Sequence, residues 1–225
     1  MPTFRPFPRH SRDVFVSGIW GGLLSSIPFP SGKGQGLGVP IHHRSSARLV
    51  QTGDLVTMTC GVLYAGYESD VGRTWLCAPA KANSKQRSLH KRWLDTYQAM
   101  LKECRPGRTA ADLRKAAENT VRPEPHSSVR GEPIARPEAS RREPRSWTPP
   151  APVAHAVGLG FEPPIAGSDL GAEAESRMTL QAGMVLVLQP YIWEAGIGGY
   201  LAKETVLVTK AAPQRLSTLP YGPLA

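Results

Sequence analysis

The sequence predicts an α+β domain, a mainly antiparallel sheet backed by helices, on three observations. Short apolar runs bounded by glycine recur near residues 54–64, 183–189 and 201–209. A helical period runs through 84–104 and resumes at 109–121. The chain has 225 residues and is 40% apolar, enough for one sizeable core. Composition also excludes some classes. The net charge is +9, and the basic residues lie mostly in one Pro/Arg segment and around one helix, without the interleaved aromatic residues that stack bases, which argues against nucleic-acid binding. No apolar run reaches the ~20 residues needed to span a bilayer. The cysteines, Cys60, Cys77 and Cys104, are odd in number and form no C-x-x-C pair, so neither a disulfide framework nor a zinc knuckle is expected, and a reducing cytoplasm fits best.

Residues 1–38 read as an irregular leader. Arg5, Arg9 and Arg12 precede an apolar run from Val14 to Pro30 that faintly resembles an export signal, but Asp13 and internal Gly and Pro breaks spoil the signal core. The glycines of Ser31–Gly38 lack the Lys-Ser/Thr ending of a phosphate-binding loop and read as a flexible connection. The globular pattern starts near residue 39, and its first half extends to 121. It opens with the adjacent pair His42 and His43, of which only one can face a site from an extended chain. Leu55–Thr59 and Val62–Tyr64 are β-rich runs that meet at Gly61 and read as the two arms of a hairpin, with Asp70 and Arg73 just beyond.

Helical spacing then takes over. Leu89, Trp93, Tyr97, Met100, Leu101 and Cys104 form one apolar stripe, read as core, with His90, Lys91, Arg92, Lys102 and Glu103 around it. Arg105-Pro106-Gly107 stops this helix, and Thr109-x-x-Asp112 is a capping box that opens the next. Residues 122–152 carry eight prolines and six arginines with few aliphatic residues, so a disordered insertion or stiff linker is expected there. The second half of the domain spans 153–225.

Four strings carry a family resemblance. They are Gly53-Asp54 with Gly66-Tyr67-x-Ser69-Asp70-x-x-Arg73-Thr74, the PG turn with its capped helix, His155-Ala-Val-Gly-Leu-Gly-Phe-Glu162-Pro-Pro-Ile165, and Leu180-x-x-Gly-Met-Val-Leu-Val-Leu-Gln-Pro190 followed by Tyr200–Thr209. In this order they resemble the creatinase/aminopeptidase family, the pita-bread metallopeptidases that include methionine aminopeptidase and the Xaa-Pro dipeptidases and aminopeptidases. The resemblance implies a curved, pita-bread-like sheet with the site in its concavity, truncated at the N-terminus relative to the family. Loss of the opening helical cover implies a possible homodimer. The implied substrate is a small peptide or a peptide-like C–N bond.

Family enzymes hold two divalent ions with two Asp, one His and two Glu. By position Asp70 matches the second Asp, His155 the His and Glu204 the last Glu, while Thr59 and Gln189 stand where an Asp and a Glu are expected. Two carboxylates leave two divalent ions with an excess of about two positive charges in a low-dielectric pocket, which is costly. At most one ion is therefore expected, manganese, iron, zinc or cobalt, on Asp70, His155 and Glu204. The resemblance further implies a substrate-facing histidine, assigned to His43, and leaves Glu162 as the substitute general base, because an amide at 189 cannot accept the proton. Two functions follow: a metal-dependent hydrolase of the aminopeptidase or Xaa-Pro peptidase type, and a non-catalytic pseudoenzyme of the same fold that binds a partner or peptide.

Overall fold

The computed structural model describes residues 14–16, 52–121, 152–167, 171–194 and 198–221. The glycine-rich connection, the His42-His43 pair, the Pro/Arg segment over 122–151 and all of the leader except 14–16 lie outside the described residues.

The hairpin comprises β2 (Leu55–Tyr64) and β3 (Tyr67–Leu76), with the short β1 (Val14–Val16) paired antiparallel on the outer side of β2. Its turn differs from the sequence expectation. The chain reverses at Ala65 and Gly66, whose φ values are 49° and 88°. Two consecutive positive φ angles give a two-residue turn whose twist matches that of the flanking strands, so Leu55–Tyr64 continues as one strand through Gly61. Gly61 pairs directly with Asp70, so no side chain stands opposite that carboxylate.

Helix α1 (Ser84–Glu103) begins where Asn83 and Gln86 cap each other: the Asn83 Oδ1 accepts from the Gln86 N–H at 2.9 Å and the Gln86 Oε1 accepts from the Asn83 N–H at 3.0 Å. Its apolar stripe is the core, with Leu89, Trp93, Tyr97, Met100 and Cys104 all buried. Trp93 and Tyr97 stack with ring centroids 5.3 Å apart, and the Trp93 indole donates to the Pro190 carbonyl at 3.0 Å, which ties the helix to the sheet. Burial of each such large side chain contributes on the order of 1.5–3 kcal/mol. Helix α2 (Ala110–Val121) carries the expected cap: Asp112 accepts from the Thr109 N–H at 2.9 Å, and Thr109 Oγ1 accepts from the Asp112 N–H at 3.3 Å.

The second half of the chain supplies β4 (Ala154–Val157), β5 (Phe161–Ala166), the short α3 (Gly171–Arg177), β6 (Val185–Leu188), β7 (Tyr191–Glu194), β8 (Gly198–Leu201), β9 (Glu204–Leu207) and β10 (Gln214–Arg215). Five strands form one antiparallel sheet in the order β10-β9-β6-β4-β5, and β7-β8 is a separate ribbon. The hairpin joins the five-stranded sheet where Gly72 and Lys203 exchange backbone hydrogen bonds, at 3.3 and 2.9 Å.

Register sets which side chains share a face. His155, Val187 and Thr205 lie in one row across β4, β6 and β9, while Ala154, Leu188 and Glu204 lie in the next. Successive side chains alternate, so the first row faces away from the second. The second row belongs to the buried core that α1 and α2 cover, with Ala154, Leu188 and Val206 packed against Trp93 and Met100 in one cluster.

Candidate functional site

Asp70 on β3 and His155 on β4 come together on the face away from the helices, with Nε2 3.9 Å from Oδ2. That gap is too long for a hydrogen bond. The His155 Nδ1 lies 3.0 Å from the Ala156 carbonyl, which can only accept, so Nδ1 carries the proton and Nε2 presents a lone pair toward Asp70. Burial lowers the His155 pKa below its ordinary value; the Lys203 charge adds to the drop, while the Ala156 bond and Asp70 oppose it. The ring is therefore neutral at physiological pH, and Phe161 packs against it at 4.2 Å between centroids. A β-bulge between His155 and Ala156 against β5 shifts the pairing at this position.

Lys203 completes the group. Its Nζ lies 2.6 Å from the Asp70 Oδ2, and Thr205 two residues on donates its hydroxyl to the Asp70 carbonyl at 2.9 Å. Both side chains are part-buried on this face. Nothing in the sequence reading singled out Lys203. The available signal was period: on an extended strand the side chain facing Asp70 with Thr205 is two residues away, not one.

Glu204 therefore faces the helix side, and the structure does not bring it to Asp70 and His155. It is fully buried. One oxygen accepts from the Arg73 guanidinium and the other from the Arg215 Nε at 2.7 Å. Arg73, three residues from Asp70, likewise projects from the other side of β3, where its remaining N–H groups reach the carbonyls of Gly72, Lys203 and Pro220 at 2.6 to 2.8 Å. Arg215 lies over the Tyr221 ring at 4.2 Å.

The other expected residues fall as follows. Thr59 is buried on β2 opposite Gly72, and Gln189 is buried with its amide nitrogen donating to the Pro152 carbonyl at 2.7 Å. Glu162 is exposed on β5. Glu68, two residues before Asp70 on the same face of β3, has its pKa raised by burial, then by Asp70 and by Glu162, so both of those carboxylates lie within electrostatic reach of Glu68. The Glu68 N–H donates to the Gly158 carbonyl at 2.7 Å, holding the β4–β5 turn against the hairpin. His43 lies outside the described residues.

The donor set does not fit a divalent ion. Such an ion needs carboxylate and imidazole lone pairs converging from several sides. Here the Asp70 charge is met by Lys203, Glu204 is held by two arginines on the opposite face, and Thr59 and Gln189 bring no charge. Among the described residues no group of three or more His, Cys, Asp or Glu side chains could hold a metal ion.

Antiparallel strands backed by two helices, with a His-Asp pair on the face away from the helices, make this an α+β domain. The sequence of residues 29–210 matches the model for metallopeptidase family M24, and the chain belongs to that family. It is similar to the Xaa-Pro dipeptidase of Pyrococcus horikoshii, 26% identical over 178 residues that cover 78% of this chain and 43% of that protein. A 73-residue stretch is 37% identical to the mitochondrial intermediate cleaving peptidase 55 of Arabidopsis thaliana, covering 32% of this chain and 15% of that one. Among solved structures, the Pyrococcus horikoshii prolidase superposes with a TM-score of 0.59 at 26% identity, covering 80% of this chain and 44% of that one. Methionine aminopeptidase of Thermotoga maritima superposes at 0.53 with 17% identity, covering 79% of this chain and 68% of that one, which extends the likeness in fold alone. The fold is thus the pita-bread fold, and the chain spans less than half the length of the Xaa-Pro dipeptidases it matches. No helix among the described residues is long and apolar enough to cross a membrane.

Proposed function

We propose that this chain binds peptides of the Xaa-Pro type in the pita-bread cleft and does not hydrolyse them through a dinuclear metal centre. The observation that carries this reading is the placement of Glu204: its carboxylate, fully buried between Arg73 and Arg215, is spent on the core and leaves Asp70 and His155 as a two-residue remnant. Kinship to the Xaa-Pro dipeptidases supports the peptide class. The neutral imidazole, whose Nε2 lies 3.9 Å from the Asp70 carboxylate and carries a lone pair, is suited to accept a hydrogen bond from a peptide N–H or ammonium. The Lys203 ammonium has donors beyond the one used on Asp70 and is suited to a carbonyl or carboxylate.

A second reading, a hydrolase working with one divalent ion, is favoured by one feature. Asp70 and Glu162 both raise the Glu68 pKa, so negative charge gathers around Glu68, and Glu162 is a candidate proton acceptor. One experiment separates the two. The purified chain is titrated with an Xaa-Pro dipeptide by calorimetry and then assayed for its cleavage with manganese, cobalt or zinc supplied. Binding without cleavage is expected. Metal-dependent cleavage that His155→Ala abolishes would establish the hydrolase instead, and absence of any binding would remove the first reading.

A further inference from the structure

We propose that Lys203 is the built-in cation of this site, its ammonium holding Asp70 where a divalent ion would otherwise bridge that carboxylate and His155. The Nζ to Oδ2 distance of 2.6 Å is that of a charge-assisted hydrogen bond. Both side chains are mostly withdrawn from water, at 15% and 17% exposure, so removing either partner leaves the other charge poorly solvated and unpaired. The backbone fixes the arrangement. The exchange of hydrogen bonds between Gly72 and Lys203 clamps β9 to β3 at this point, and the Thr205 hydroxyl bonds the Asp70 carbonyl, so the lysine cannot leave by strand slippage without flipping the buried Glu204 to the wrong face. Gly61, directly across from Asp70, sets no side chain of its own against the carboxylate. A monovalent, permanently attached ammonium supplies the positive charge that Asp70 needs and repels a second cation.

The inference rests on the placement of the site used above, and not on peptide binding. It implies that one substitution reopens the position: Lys203→Glu removes the cation and sets a third donor beside Asp70 and His155. The test is calorimetric titration of manganese and of zinc into the full chain as wild type, Lys203→Glu, and Lys203→Glu with Asp70→Asn, with circular dichroism to report folding. The expected result is that Lys203→Glu binds the ion at least about tenfold more tightly than wild type and that adding Asp70→Asn returns it to the wild-type level. Equal affinity in wild type and Lys203→Glu, or a folded Lys203→Glu that gains none, overturns the proposal. Should Lys203→Glu fail to fold, thermal melts of Lys203→Met, Asp70→Asn and the double variant decide. Coupling is expected, with Asp70→Asn recovering most of the Tm lost in Lys203→Met; strictly additive losses overturn it. Failure of the chain to bind an Xaa-Pro peptide would strike the function proposed above and leave these metal and stability readouts standing.

Discussion

Replacing Glu204 by alanine tests which side of the sheet this carboxylate serves. In the structure it is fully buried, and its two oxygens answer two guanidiniums, of which Arg73 is 2% exposed. Truncation leaves the Arg73 cation in the interior, with its carbonyl partners still in place and no anion to compensate it. Removing one partner of a buried pair in this way costs about 3–5 kcal/mol. For a chain of this size each kcal/mol is roughly 2–4 °C, so the Tm is expected to fall by about 6–20 °C. Glu204→Gln should lose less, because the amide oxygen still accepts from one arginine while its NH2 confronts the other. The assay is differential scanning calorimetry without added metal. Were Glu204 a ligand in an open cleft instead, its removal would relieve repulsion among acidic groups and leave Tm unchanged or higher. A Tm within about 1 °C of wild type would refute the argument from register.

Other expectations follow from single contacts. Gly66→Val places a β-branched residue at a φ of 88° in the hairpin turn and should cost on the order of 1–3 kcal/mol, read as a shift in the urea midpoint; an unchanged midpoint would mean that the turn is not as described. Asn83→Ala removes the cap of α1 and should cost about 1 kcal/mol by the same measurement, with Asn83→Ser retaining most of it. Burial lowers the His90 pKa, against a smaller opposing bond to the Tyr221 backbone. The unfolded chain, with an ordinary pKa of about 6.5, therefore binds the proton first as pH falls, and stability should decline below about pH 6.5 until the folded pKa is passed. Denaturation midpoints at about pH 7.5 and about pH 5.5 check the sign, and His90→Gln should flatten the slope; a slope of opposite sign, or one indifferent to His90, would contradict this account.

Sequence alone determined the helices and the order of the architecture. The stripe from Leu89 to Cys104, the stop at Arg105–Gly107 and the Thr109–Asp112 box are local patterns, each decided by groups within a few residues, and the folded chain forms them as written. Ordered motifs likewise carried the family, whose model matches residues 29–210. The hairpin reversal was less legible, since Gly61 and Gly66 both break the apolar run and only the pair of positive φ angles at Ala65 and Gly66 selects the second. The site was decided by tertiary structure. Asp70 meets His155 because β3 docks on β9 across Gly72 and Lys203, a contact that brings together strands far apart in the chain. Whether Lys203 or Glu204 meets Asp70 depends on one residue of register. Because side chains alternate along a strand, that single step sends one charge to Asp70 and its neighbour to the two arginines beneath the sheet.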